Sequence, residues 1–196
     1  MILLIAIILL VIYLIPTYVE PRVLQDFVTE YERKYIIDKA RSELKPSTVD
    51  KNFRLDNDIR VSETAWLDTE DPVIHDVVRR CLKLTDRPMA NCEKLQVLRY
   101  KPGGFYKLHQ DTFGDKDPNK RMYTFILALN DDYEEGETEF PKLGKKYKLK
   151  AGDALFFHTL DNYEFVSPKA LHGGRPVKRG EKWICNLWVH KYPYTS

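Results

Sequence analysis

Hydrophobic residues fall into three regimes along this chain. The first fifteen residues, MILLIAIILLVIYLI, are all apolar, and no charged side chain occurs before Glu20. At about 1.5 Å per residue a helix over residues 1–19 spans roughly 28 Å, close to the hydrocarbon thickness of a bilayer. No Lys or Arg precedes the run and no small-x-small cleavage pattern follows it, so it reads as an uncleaved transmembrane anchor. Glu20, Arg22, Asp26, Glu30, Glu32, Arg33 and Lys34 mix signs and do not orient it.

A second regime has helical spacing. PRVLQDFV reads as a short strand, and Thr29 with Glu32 is a capping-box signature for the helix that follows, with Ile36, Ala40 and Leu44 on its apolar face and Pro46-Ser47 ending it. A second helix opens at Asp71-Pro72, where the missing N–H of proline is harmless, and Val73, Val77, Val78 and Leu82 are its expected buried stripe. From Leu95 the pattern turns to β: LQVLRY, FYKLHQD, MYTFILALN, KKYKLK, DALFFHT and KWICNLWVH, divided by Gly, Pro and Asp loops. Two helices followed by many short strands predict an α+β, mainly β domain over 20–196. Its expected form is a double-stranded β-helix, or jelly roll, supported by helices on one face.

Composition narrows this further. The 196 residues suit one domain with a sizeable core, and a net charge of +2, from 31 basic and 29 acidic residues, gives no electrostatic case for nucleic acid. Lys142, Lys145, Lys146, Lys148 and Lys150 bracket a Leu-Gly turn and read as a solvated hairpin. Cys81, Cys92 and Cys185 are too few for a disulfide scaffold or a zinc site, although Cys81 and Cys92 could pair in an oxidising lumen. Nothing in the sequence specifies an oligomeric state.

The candidate chemistry begins with His109 and Asp111. Two residues apart on a strand, they point to one side and can offer a nitrogen and a carboxylate oxygen to one cation. An H-x-D triplet alone is weak, since roughly one comparable sequence in three holds one by chance. His172 would complete a facial set of two histidines and one carboxylate, the arrangement of non-haem Fe(II) oxygenases. Lys182, ten residues on, opens a strand on which Ile184, Asn186, Trp188 and His190 share its parity, while Trp183, Cys185, Leu187 and Val189 form the apolar side. An inward lysine without a nearby acidic residue is costly to bury unless an anion neutralises it, and a dicarboxylate would do so.

Five ordered stretches carry a family resemblance: RVSETAWL from Arg60, EKLQVLRYKPGGFYKLHQD from Glu93, EEGETEFP from Glu134, KAGDALFFH from Lys150 and LHGGRPVKRGEKWICNLWVH from Leu171. From about Val19 to Tyr192 the chain resembles the catalytic domain of the prolyl 4-hydroxylases, 2-oxoglutarate and Fe(II)-dependent dioxygenases, in their short plant, algal and viral form. The resemblance implies that His109, Asp111 and His172 bind Fe(II), that Lys182 grips the distal carboxylate of 2-oxoglutarate, and that Tyr100 hydrogen-bonds the same co-substrate. It places Tyr106, Arg121, Trp188 and His190 against a proline-rich or collagen-like peptide, with O2 as second co-substrate and ascorbate as an aid. It also implies a lumenal catalytic domain in the endoplasmic reticulum or Golgi. Two features depart from the family: Glu135 stands before a single Gly136 where a double glycine is common, and the loop from Thr112 to Lys120 is short. Regular parity turns Tyr106 away from His109, so a bulge is needed to bring it to the site. A dioxygenase acting on lysine or another side chain, or an inactive membrane-anchored binding protein, are the competing readings.

Overall fold

A computed structural model describes residues 15–49 and 54–195. The apolar run at residues 1–14, and with it most of the expected anchor, lies outside the described residues. The remaining anchor positions, 15–19, depart from the expectation: they are irregular, not helical, and dock on the domain. Thr17 exchanges hydrogen bonds with Asn162, and the Tyr18 hydroxyl donates to the His158 carbonyl at 2.9 Å. Pro16 disfavours helix at the residue before it, and these bonds supply a partner for the chain on the sheet. No helix among the described residues is long and apolar enough to cross a membrane.

Helix α1 (Glu30–Arg41) begins at the capping box: Thr29 Oγ1 accepts from the Glu32 N–H, and Glu32 accepts from the Thr29 N–H at 2.8 Å. Helix α2 (Pro72–Leu82) starts where Asp71 caps the Val73 and Ile74 N–H groups. Its buried stripe is Ile74, Val77, Val78 and Cys81 rather than the expected Val73 and Leu82, because a packed helix face follows the i, i+3, i+4, i+7 spacing.

The strands are β1 (Arg22–Leu24), β2 (Lys45–Pro46), β3 (Arg60–Val61), β4 (Glu63–Leu67), β5 (Leu95–Tyr100), β6 (Phe105–His109) and β7 (Arg121–Ala128), then β8 (Glu134–Glu135), β9 (Thr138–Phe140), β10 (Lys145–Tyr147), β11 (Ala154–His158), β12 (His172–Gly174), β13 (Val177–Arg179) and β14 (Lys182–His190). They form a sheet in the order β1-β11-β7-β14-β5-β4-β2, a second in the order β10-β9-β12-β6-β3, and the pair β13-β8, every pairing antiparallel. This is the expected jelly-roll architecture with helices against one face.

Alternation along β14 feeds two cores. Trp183, Cys185, Leu187 and Val189 pack with Ile36, Ala40, Ile74 and Val77 under the helices. Ile184 enters the other core with Leu98, Tyr100, Phe140 and Phe157, inside the roll between the two sheets. The functional parity of β14 therefore faces the roll's interior. Cys81, Cys92 and Cys185 are free thiols, Cys81 and Cys185 fully buried; the optional Cys81–Cys92 bond is not formed. The lysine-rich hairpin is mostly exposed, as expected, with Gly144 in the left-handed conformation at its turn.

Candidate metal centre and substrate groove

His109 ends β6 and His172 begins β12, and the two residues are cross-strand partners. The four residues from Tyr106 to His109 face only the three from His172 to Gly174, which is the bulge that parity required. It turns the Tyr106 ring flat against the His109 imidazole, with centroids 3.7 Å apart. Gly173 permits the approach of these strands: a Cβ there would lie 3.0 Å from the Tyr106 carbonyl oxygen and 3.2 Å from the Leu108 nitrogen.

His109, Asp111 and His172 each offer one ligand atom, and these atoms lie within 4.8 Å of one another. His109 Nε2 is 3.5 Å from Asp111 Oδ1, and His172 Nε2 is 3.7 Å from Asp111 Oδ2. Each imidazole is oriented from behind. His109 Nδ1 donates to the Lys107 carbonyl at 2.8 Å, and His172 Nδ1 to the Ala170 carbonyl at 3.0 Å, so both Nε2 lone pairs face the carboxylate. The Thr124 hydroxyl donates to Asp111 Oδ2 at 2.6 Å and fixes the carboxyl plane. Burial pushes the Asp111 carboxyl up, but His172 and His109 outweigh it and hold the group well below the usual carboxylate range. Burial drives His172 down to about 4, against the pull of Asp111, so its ring is a neutral donor at physiological pH. Two imidazole nitrogens and one carboxylate on a common face, each braced by an outer hydrogen bond, fit a divalent iron with open positions opposite.

Lys182 and Tyr100 are register partners deeper in the roll, with the ammonium 5.5 Å from the Tyr100 ring centroid. Lys182 is 5% exposed, donates to the Gly136 carbonyl at 2.7 Å, and has no carboxylate within ion-pairing distance among the described residues. Burial, reinforced by Lys148 and opposed by Glu137, pushes its ammonium down to about 8. A buried cation with one neutral acceptor fits an anionic ligand.

A groove of about 990 Å³ opens beside the metal ligands and is lined by Tyr106, His109, Asp111, Arg121, Trp188 and His190. The groove lining thus gathers the proposed peptide contacts beside the ligand set, while Lys182 and Tyr100 pair with each other outside that lining. Arg121 and His190 are less free than expected. Glu93 accepts a fork of two bonds from Arg121, at 2.5 and 3.0 Å, and a 2.7 Å bond from His190 Nε2; Arg121 Nη1 also donates to the Asp111 carbonyl at 3.0 Å. The guanidinium lies 3.8 Å from the Trp188 ring centroid, and the Trp188 indole N–H is buried without a partner.

Glu93, 4% exposed, is therefore a site residue that sequence reasoning missed. Its partners are 28 and 97 positions away, so no local pattern could reveal it. Arg60 was also missed as a site residue: it lines the groove, sits 4.6 Å from the Tyr106 ring centroid and buries an Nη2 without a partner.

Residues 95–190 match the family described as the 2OG-Fe(II) oxygenase superfamily. A protein of Acanthamoeba polyphaga mimivirus, provisionally named a prolyl 4-hydroxylase, is 32% identical over 91% of this chain and 77% of its own length. Prolyl 4-hydroxylase 1 of Arabidopsis thaliana is 33% identical over 86% of this chain and 68% of its own. Among solved structures, the 2OG complex of the viral collagen prolyl hydroxylase from Paramecium Bursaria Chlorella virus-1 aligns with a TM-score of 0.73 and 30% identity, covering 88% of this chain and 96% of that one.

Proposed function

The chain belongs to the prolyl 4-hydroxylase family of 2-oxoglutarate and Fe(II)-dependent dioxygenases, and we propose that it hydroxylates peptidyl proline at C4 of the ring. The observation that carries this reading is the pairing of a braced His109–Asp111–His172 set with a buried Lys182 that lacks a counter-ion. The cofactor set is Fe(II) with 2-oxoglutarate and O2 as co-substrates and ascorbate as the family's usual reductant. Bound at this site, the iron with both co-substrates supplies the oxidising chemistry that converts 2-oxoglutarate to succinate and CO2 while hydroxylating a C–H bond.

His109, Asp111 and His172 hold the metal on one face, and their outer bonds to Lys107, Ala170 and Thr124 keep that face rigid. The Lys182 ammonium pairs with the distal carboxylate of 2-oxoglutarate, and Tyr100 flanks it. Lysine acts here as a point charge, setting distance rather than imposing a planar fork. The groove receives the peptide along Tyr106, Arg121, Trp188 and His190. Trp188 offers its ring to the groove, while Arg121 and His190, both held by Glu93, stiffen the wall. An extended polyproline II segment loses little entropy on entering such an aromatic groove, which favours a proline-rich or collagen-like substrate.

We further propose that the apolar N-terminal run, uncharged before Glu20, anchors the domain to a membrane with its catalytic part in the lumen of the endoplasmic reticulum or Golgi; that uncharged character supports the reading. The functional test is Fe(II)-dependent release of succinate from 2-oxoglutarate with proline-rich, collagen-like and lysine-containing peptides. Stimulation by the proline peptides supports the reading. Stimulation by lysine peptides alone would transfer it to a lysyl enzyme.

A further inference from the structure

Lys182 is held from one side only. The carbonyl that accepts its proton belongs to Gly136, in a turn where two successive residues adopt the left-handed backbone, Glu135 at φ 59° and Gly136 at φ 68°. Glycine takes this conformation freely, whereas a glutamate does so against its own Cβ. The turn is also wedged in place. A Cβ on Gly136 would lie 3.0 Å from Val177 Cγ2, 3.3 Å from Tyr133 Cε2 and 3.5 Å from Cδ of Lys182 itself. Any relaxation of Glu135 toward ordinary backbone angles would therefore move the Gly136 carbonyl and the Lys182 stem together.

Lys148 closes this turn from outside. Its ammonium donates to the carbonyls of Tyr133 and Glu135, both at 2.8 Å, and sits 3.0 Å above the centroid of the Tyr133 ring. Both carbonyls belong to the turn, one of them to the strained residue itself, and bonds from an ionised donor are the strong kind. On the opposite side Glu135 pairs with Val177, and the Gly136 N–H donates to the Pro176 carbonyl at 3.2 Å. With strand β13 behind it and Lys148 in front, the turn has one position.

We propose that Lys148 is a positioning residue for co-substrate binding: by clamping the 133–136 turn it sets the Gly136 carbonyl, and through it aims the Lys182 ammonium at the distal carboxylate of 2-oxoglutarate. The inference rests on Lys182 as the carboxylate anchor. It explains why a left-handed glutamate is tolerated one residue from the carbonyl that anchor depends on.

The test is calorimetric titration of 2-oxoglutarate into the full chain loaded with Mn(II), a redox-quiet stand-in for iron, beside steady-state kinetics with Fe(II). Lys148→Ala should raise both the Kd and the KM for 2-oxoglutarate roughly tenfold, with kcat at saturation, Mn(II) affinity and peptide KM unchanged. Lys148→Arg should retain wild-type affinity. Adding Glu135→Gly to Lys148→Ala should restore most of the loss, because glycine adopts φ > 0 without the strain that the clamp opposes. Glu135→Gly alone, which keeps the clamp and should fold, is expected to leave Kd unchanged. An unchanged Kd in folded Lys148→Ala would overturn the proposal, as would a loss that Glu135→Gly does not rescue, which would assign the effect to the Lys148 charge. Failure of the wild-type chain to bind 2-oxoglutarate would instead remove the co-substrate assignment, and the proposal with it.

Discussion

Replacing Lys182 with Met should make the metal-free protein more stable while disabling co-substrate binding. The ammonium ionises at about 8 in the fold against 10.5 for an ordinary lysine, so at pH 7 its charge costs the fold about 3 kcal/mol. Methionine keeps the stem and removes the charge. It also leaves the Gly136 carbonyl without its donor, a loss of about 1 kcal/mol. A net gain of about 2 kcal/mol should raise Tm by roughly 4–8 °C in a chain of this size. The sign with pH follows from the depressed value: the unfolded chain binds the extra proton between 8 and 10.5, so wild-type stability rises through that window. The gap between wild type and Lys182→Met should be full below pH 8 and close above it. Urea unfolding at pH 7 and pH 9.5, with 2-oxoglutarate titrations, measures both sides; loss of one charge-assisted bond predicts a tenfold to hundredfold weaker co-substrate. A variant less stable than wild type at pH 7, or a gap indifferent to pH, would refute the claim that Lys182 is buried without its counter-ion.

The other expectations are as follows. His109→Ala, Asp111→Ala and His172→Ala should each abolish tight Mn(II) or Fe(II) binding, read by calorimetry, while the circular dichroism of the metal-free chain stays near wild type. Wild-type affinity for 2-oxoglutarate should be flat below pH 8 and fall about tenfold per unit above it, because only the ammonium pairs with a carboxylate; a flat profile to pH 10 would transfer the role to another residue. Glu93→Ala strands two buried donors and should cost about 3–5 kcal/mol by urea denaturation and raise peptide KM more than the KM for 2-oxoglutarate. Deletion of residues 1–14 should release a soluble enzyme with full activity, whereas deletion to Val19 also removes the Tyr18 bond to His158 and should lower Tm.

Local patterns carried much of this architecture, and long-range ones did not. The parity of β14, the capping box at Thr29 and the H-x-D pair depend on neighbours within a few residues and were legible. The need for a bulge at Tyr106 was also readable, because strict alternation would have misplaced its ring. Strands of two or three residues such as β2, β3 and β8 were not, since their existence depends on a partner strand rather than on any period. The phase of α2 is not readable from its valines alone, because Cys81 packs as a small hydrophobe and draws the stripe onto Ile74. Glu93 and Arg60 show the sharper limit. Their roles consist of contacts with Arg121, His190 and Tyr106, and only the folded roll brings those residues together.

The central claim is proline hydroxylation at this site, and mass spectrometry with amino-acid analysis of a proline-rich peptide tests it most directly. Incubated with Fe(II), 2-oxoglutarate, O2 and ascorbate, the wild-type chain should add one oxygen atom to proline, recovered as 4-hydroxyproline, with one succinate per hydroxylation and no product from Asp111→Ala. Oxygen found on lysine alone, or proline left unmodified while Fe(II) and 2-oxoglutarate are both bound, would contradict it.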